Sequence, residues 1–149
     1  MKTLALSALI LALTLTACNP GPKTSTYAAT LSPASEVPAV TATATGDATL
    51  TLNEDTKTAT LSGSVSGLSG DLMMAHIHGP AAVGSNAGVL FMLDLTNTSA
   101  AKTATIKNKD AIITLTDAQI TDLKAGKYYV NVHTAANAGG EARGQLLLK

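Results

Sequence analysis

The sequence is poor in aromatic residues, cysteine and charge. Only 3% of its 149 residues are aromatic, with no Trp and a single Phe, so Val, Leu, Ile and Ala have to fill any core. Ten Lys and Arg residues balance ten Asp and Glu residues, and the only arginine is Arg143. Nucleic-acid-binding proteins usually carry a basic stripe with interleaved aromatic residues. We therefore expect no nucleic-acid partner, and the single cysteine excludes a disulfide within the chain.

The N-terminal residues 1–17 have the pattern of a bacterial lipoprotein signal peptide. Lys2 gives a positive start, an apolar run extends from Leu4 to Leu15, and small residues lead to the only cysteine, Cys18. This order resembles the lipobox, in which the cysteine is lipidated and becomes the new N-terminus. An ordinary secretory signal with an incidental cysteine is the alternative. We expect an exported lipoprotein, anchored to the cell membrane or outer membrane, with its domain on the periplasmic or extracellular side.

A short tether and one domain follow the predicted lipid. Residues 18–26 are rich in turn formers and small polar residues, which predicts a lipidated tether. Residues 27–149 have the length of one domain. Apolar residues alternate with Thr and Ser in short runs such as Ala48–Leu52 and Ala59–Ser66. The pattern predicts an all-β fold, an antiparallel Greek-key β-sandwich of roughly eight or nine strands, with one short helical turn starting at Thr116.

The three histidines lie in two of the predicted strands. Side chains alternate along a strand, so His76 and His78 share one face of the strand Leu72–His78. His133 lies on the polar face of the strand 128–134. If the two strands are neighbours, the three imidazoles converge. Two histidines at i and i+2 with a third from another strand are typical of zinc or copper sites.

Further residues extend this candidate metal site. The thioethers of Met74 and Met92 are candidate ligands that would favour Cu(I), whereas alternation places Met73 on the opposite, apolar face. Metal ligands are usually held in orientation by outer partners, and the candidates for that role are Asn131, Glu141 and Arg143. The alternative is structural: histidines that donate to backbone carbonyls and brace loops, and a plain salt bridge for the two charged residues.

Several short motifs are spread over the predicted domain. They are Glu36–Pro38, Gly46–Ala48, His76–Ala81, Leu123 with Gly126, Tyr129–Thr134 and Gly140–Gln145. These motifs resemble those of the CHRD domain, a module first described in chordin and widespread in bacterial exported proteins. The resemblance covers essentially all of residues 27–149. It implies an all-β sandwich of the immunoglobulin-like or superoxide-dismutase-like kind.

A weaker likeness is to copper-zinc superoxide dismutase. That family also has a His-x-His strand, a later strand histidine and an arginine near the C-terminus, which would correspond here to His76, His78, His133 and Arg143. The chain departs from it in having no fourth histidine, no pair of cysteines and no zinc loop of His and Asp residues. These departures weigh against dismutation.

Three functions follow as hypotheses. We favour a lipid-anchored envelope protein that binds copper, zinc or an envelope protein partner through the histidine face, because the sequence has no nucleophile–base constellation. The first alternative is a structural or adhesive envelope module. The second is a copper-dependent oxidoreductase of the superoxide dismutase type, in which Arg143 steers an anion.

Overall fold

A computed structural model describes residues 21–96 and 102–149, so the predicted signal peptide and Cys18 lie outside the described residues. The described chain has ten β-strands and one α-helix, α1 (Asp117–Lys124), and the predicted all-β class is confirmed. A 3₁₀ turn spans Pro33–Ser35. The strands are β1 (Thr24–Leu31), β2 (Thr45–Asn53), β3 (Thr58–Ser66), β4 (Leu72–His78), β5 (Val89–Thr96), β6 (Ala104–Asn108), β7 (Ile113–Thr114), β8 (Tyr129–Thr134), β9 (Ala142–Gln145) and β10 (Leu147–Leu148).

The strands form one antiparallel sheet that curls into a nearly closed, barrel-like sandwich. Its order is β10-β1-β2-β3-β6-β5-β4-β8-β9, and β7 also pairs with β3. The chain crosses over between β3 and β4, so that β3 lies beside β6, which is a Greek-key arrangement. Backbone hydrogen bonds between Ser32 and Arg143 join the end of β1 to β9. This bridge brings the two ends of the sheet together.

Alternation along the strands provides a core without tryptophan. In β2, Leu50 and Leu52 are buried while Thr51 between them is exposed. The inward-facing residues of β4 and β8 are all buried to 1% exposure or less: Ala75, Ile77, Val130 and Val132. Because successive side chains point to opposite faces, the histidines of these two strands point away from the core.

Three boundaries differ from those predicted. β1 begins at Thr24, inside the predicted tether 18–26, because its first residues pair with Thr51–Asn53 of β2. The sequence also predicts a weak strand over 111–115, but only the two residues of β7 form one. It predicts one last strand over 143–148, but this is interrupted at Leu146, whose side chain is fully buried, so that β9 and β10 are separate.

The predicted helical turn is a helix of eight residues with a complete capping box. The Gln119 N–H donates to the Thr116 hydroxyl at 3.2 Å, and the Thr116 N–H donates to the Gln119 side chain at 2.8 Å. Leu123 packs into the core, and Gly126, with φ of 67°, follows the helix in the left-handed conformation that favours glycine. No helix within the described ranges is long and apolar enough to cross a bilayer.

Candidate metal centre

The structure brings the three predicted histidines together on the outward face of β4 and β8. The two strands are antiparallel neighbours, with His76 opposite Asn131 and His78 opposite Tyr129. Directly opposed residues share a face of the sheet, so His133, two residues after Asn131, lies on the same face. One ring nitrogen of each histidine lies within 4.8 Å of those of the other two.

Two loops cover this histidine cluster, so a face that usually meets solvent is buried. The three side chains are only 5–8% exposed. His78 Nδ1 lies 3.0 Å from the carbonyl oxygen of Ala87 in the β4–β5 loop, and His133 Nδ1 lies 3.0 Å from that of Ala138 after β8. A carbonyl only accepts, so both Nδ1 atoms carry hydrogen, and in a neutral ring the Nε2 atom then keeps a lone pair.

The remaining ring nitrogens meet at the centre of the cluster. His133 Nε2 lies 3.2 Å from His76 Nδ1, and with a neutral His133 ring the Nε2 accepts the hydrogen of His76 Nδ1. His78 Nε2 is buried and has no hydrogen-bond partner among the described residues. A buried acceptor of this kind is costly unless it has a partner. A cation between the rings would supply one: it would take both free Nε2 atoms, and His76 Nδ1 after its hydrogen moves to Nε2.

His76 and His78 are uncharged at physiological pH, because the pKa of each is lowered. Burial, together with the neighbouring rings of His133 and His78, lowers the pKa of His76 to about 4. Burial also lowers the pKa of His78, although its hydrogen bond to the Ala87 carbonyl opposes the shift. Metal ions bind the neutral imidazole. The folded protein therefore presents these rings in the protonation state that a ligand requires.

A stack of side chains supports His78. The Tyr129 ring is parallel to it within 5°, with centroids 5.0 Å apart, and the Arg143 guanidinium lies 3.5 Å from the centroid of the tyrosine. Arg143 is 2% exposed and donates to the Asn86 side chain at 2.9 Å and to the Ser85 carbonyl at 2.7 Å. The guanidinium thus fastens the β4–β5 loop. It is not available to steer an anion, as the superoxide-dismutase-like hypothesis requires.

The residues predicted to orient the histidines have other partners. The Glu141 carboxylate accepts hydrogen bonds from the backbone and hydroxyl of Ser69, and the Asn131 amide donates to Glu36 at 3.4 Å. Within the described residues neither Glu141 nor Arg143 forms a salt bridge, so the predicted ion pair is wrong. Alternation predicts the face of the sheet on which a side chain lies, but not the groups that it contacts. The two loop carbonyls take the orienting role instead.

Glu36 is a buried carboxyl beside the cluster, and sequence reasoning singled it out only as part of a motif. It is 7% exposed, and burial raises its pKa to about 7 despite the attraction of Arg143. Its Oε1 and the Asn131 Oδ1 are buried without a hydrogen-bond partner in the described chain. Both atoms lie 2.7 Å from the position that a Cβ at Gly140 would occupy. A protonated carboxyl would give this pair of acceptors the hydrogen they need.

The predicted methionine ligands lie beside the cluster but reach solvent. Met92 is opposite His76 on β5, and Met74 is opposite His133 on β8. Their side chains are 46% and 39% exposed. Met73 is 54% exposed and does not face the core as predicted, because the register of β4 shifts at this point and the bulge interrupts the alternation.

Comparison with known families agrees with these observations. A family model, the CHRD domain, matches residues 27–146, a range that includes the three histidines and the loops over them. A comparison with curated proteins gave no match. The matched range covers most of the 149 residues. The chain belongs to the CHRD-domain family.

Proposed function

We propose that the protein binds a transition-metal ion, copper or zinc, through His76, His78 and His133. The observation that carries the proposal is the buried His78 Nε2, which has no partner among the described residues and belongs to a cluster of three buried imidazoles. Imidazole suits both metals, and three protein ligands leave a fourth position open for a further ligand. Two neighbouring strands hold the rings, so little conformational entropy has to be lost on binding.

We further propose that a lipid on Cys18 holds this site at the surface of the cell envelope. The signal-peptide pattern supports the lipid, and the start of β1 at Thr24 limits the tether. The six steps from Cys18 to Thr24 span about 20 Å when fully extended. Mass spectrometry of the membrane-extracted protein tests this: a diacylated N-terminal cysteine is expected, and its loss in Cys18→Ala should release the protein from the membrane fraction. A membrane-bound Cys18→Ala protein would contradict the lipid anchor.

Metal binding is tested on the full chain, purified in detergent and stripped with a chelator. Zn(II) or Cu(II) should bind at one ion per chain, and an ion at 100 times its Kd should stabilise the fold by about 2.7 kcal/mol. His78→Ala should weaken binding by more than the roughly 10–100-fold typical of losing an outer partner of a metal ligand. Calorimetric titration measures the stoichiometry and the Kd of wild type and variant, and chemical denaturation measures the stabilisation.

Tyr129→Phe is the matched control, because it keeps the ring stacked on His78 and removes only a hydroxyl that contacts Ala87. It should bind the ion with wild-type stoichiometry. Circular dichroism establishes that each variant folds, and His133→Gln serves as a second ligand variant if His78→Ala does not. A folded wild-type chain that binds none of these ions would overturn the proposal and favour a structural module whose histidines only brace the loops.

A further inference from the structure

The three methionines that follow Met1 all lie on the surface and line one groove. They account for three of the eight exposed large hydrophobic residues in the described chain, at 39–54% exposure. The groove has a volume of about 350 Å³ and is completed mainly by Leu72, Leu93 and Leu95, with Asp94 and Lys109. Methionine usually fills irregular gaps in a core. Here every methionine of the described residues, Met73, Met74 and Met92, is exposed instead.

Strand register places this methionine groove directly beside the histidine cluster. Met92 is opposite His76 and Met74 is opposite His133. Directly opposed residues have Cβ atoms about 4.5–5.5 Å apart, which a flexible thioether side chain can span. His76 and His133 are also the two rings that contact each other at 3.2 Å. The groove and the cluster therefore share an edge.

A β-bulge brings the third sulfur to the same groove. The register of β4 against β8 passes from Leu72 opposite Thr134 to Met74 opposite His133, so that Met73 is the residue without a partner. A bulge of this kind changes the direction of a side chain, and bulges are frequent next to functional sites. In a regular strand Met73 would have pointed into the core. Instead it lines the groove with Met74 and Met92.

Thioethers select one metal ion among those that imidazole accepts. A thioether is a soft, neutral ligand that suits Cu(I), whereas imidazole binds zinc and both copper states. Three exposed methionines are also open to oxidation, and leaving them in water forgoes a hydrophobic stabilisation of about 25 cal/mol per Å². Leucine would form an equally apolar surface without being open to oxidation. Sulfur at all three positions points to a soft cation.

We propose that Met73, Met74 and Met92 form a Cu(I)-binding thioether site at the edge of the histidine cluster. The proposal deepens the metal-binding function proposed above and rests on it for the role of the site, which is to supply the cluster with copper in its reduced state. Its existence is measurable independently, because the ligands are different residues.

The test is an anaerobic competition for Cu(I) between the full chain in detergent and a chromophoric Cu(I) chelator, with ascorbate present. The triple variant M73L/M74L/M92L, which conserves side-chain volume, should lower the Cu(I) affinity at least tenfold and change the Zn(II) affinity less than twofold. X-ray absorption at the copper edge should show sulfur scattering in the wild type and none in the triple variant. If the triple variant does not fold, M92L alone should lower the Cu(I) affinity.

A matched control returns methionine to the surface elsewhere. Leu147→Met and Leu148→Met, added to the triple variant, restore exposed thioethers on β10, where the wild-type side chains are 52% and 66% exposed. Recovery of the Cu(I) affinity there would overturn the proposal, because any exposed methionine would then suffice. An unchanged Cu(I) affinity in M73L/M74L/M92L would also overturn it, and histidine-dependent Zn(II) binding would still stand. If Cu(I) binding depends on the thioethers while His78→Ala has no effect on metal binding, only the histidine site is overturned.

Discussion

The outward faces of the two halves of this sheet behave differently. On β2 and β3 the outward residues are mainly Thr and Ser in contact with water, such as the exposed pair Thr51 and Thr60. On β4 and β8 the outward residues include the paired His76 and Asn131, both 5% exposed. β8 is buried at every position, although only every second residue faces the core. The first half is an ordinary half-solvated sheet, and the second carries a buried polar layer beneath loops.

This difference indicates where the fold gives up stability for another purpose. Four buried side-chain atoms lack a hydrogen-bond partner in the described chain, and three of them belong to the covered face: Glu36 Oε1, His78 Nε2 and Asn131 Oδ1. Buried polar groups are normally paired because an unpaired one costs about 1–3 kcal/mol. A surface covered only for stability would have been apolar. A proton on Glu36 would join two of these atoms, which leaves His78 Nε2 as the buried acceptor without a partner in the described chain.

The pKa of a glutamate is shifted in opposite directions in the two halves. In the covered half, burial raises the pKa of Glu36 to about 7. In the open half, hydrogen bonds from Ser25, Lys124 and Lys23 lower the pKa of Glu54 to about 2. The contrast therefore extends from burial to charge, and it can be tested by substitution.

The largest expected effect is that of Arg143→Ala. The variant removes a buried guanidinium from the Tyr129 ring and from its bonds to Ser85 and Asn86, and we expect a loss of about 3–5 kcal/mol in the free energy of unfolding. Arg143→Lys keeps the charge but not the planar fork, so it should lose a part of this. Urea denaturation measures both. If Arg143→Ala lowers the free energy of unfolding no more than Thr51→Ala does, the covered half is no more sensitive to substitution than the open half.

The second effect is a pH dependence that Glu36→Gln should remove. The folded pKa of about 7 exceeds the ordinary value of 4.5, so the folded protein retains a proton that the unfolded chain releases. The contribution of Glu36 to the free energy of unfolding should therefore fall as pH rises from about 4.5 and reach its lower level above about 7. The rise of the pKa from 4.5 to about 7 corresponds to up to about 3 kcal/mol. Glu36→Gln should match the wild type near pH 4.5 and exceed it at pH 8.

Glu54→Gln is the control for this pH effect, because it should act with the opposite sign. The folded pKa of Glu54 is depressed to about 2, so its stabilisation is present above about pH 4.5 and is lost as pH falls. Both measurements require metal-free protein. The pKa of His76 is lowered to about 4, so the stabilisation that this residue contributes is lost as pH falls from 6.5, in the variants as in the wild type. A Glu36→Gln variant with the same pH profile as the wild type would contradict the buried, protonated carboxyl.

The smallest effect distinguishes two adjacent glycines. A Cβ at Gly140 would lie 2.6 Å from the Asn131 Nδ2 and 2.7 Å from the Glu36 Oε1, at a φ of 132°, whereas one at Gly139 would meet nothing within 4 Å. Gly140→Ala should therefore cost about 2 kcal/mol and Gly139→Ala less than about 0.5 kcal/mol in the free energy of unfolding. Thermal denaturation of the two variants is the measurement. Equal effects would mean that the Glu36–Asn131 contact is loose.

The sequence predicts which face of its strand each histidine occupies, but not which strands and loops surround that face. Alternation correctly placed His76, His78 and His133 opposite the apolar residues of their strands, because a period of two leaves no other choice. It failed at Met73, since the residues around a bulge do not differ from those of a regular strand. Whether β4 and β8 pair is a property of the whole chain, and no local pattern contains it.

The covering layer was the least predictable part of the site. Ala87 and Ala138 contribute through their carbonyl oxygens, which every residue has, so no side chain marks them. The sequence marks Arg143 as a candidate, but it does not indicate the distant partners of this residue in the β4–β5 loop, and a neighbouring acid is the simpler expectation. Loops over a scaffold often carry function, and their contacts depend on the finished fold.

The fastening of the β4–β5 loop has a consequence for the rate at which the proposed site would exchange an ion. The Ala87 carbonyl accepts from both His78 and the Tyr129 hydroxyl, and the Ala87 N–H donates to the same hydroxyl at 3.0 Å. Arg143 holds the two residues before it. Lifting the loop requires that all of these bonds break. If loop opening limits release, an ion beneath it would have a residence time that adding more of a competing chelator does not shorten.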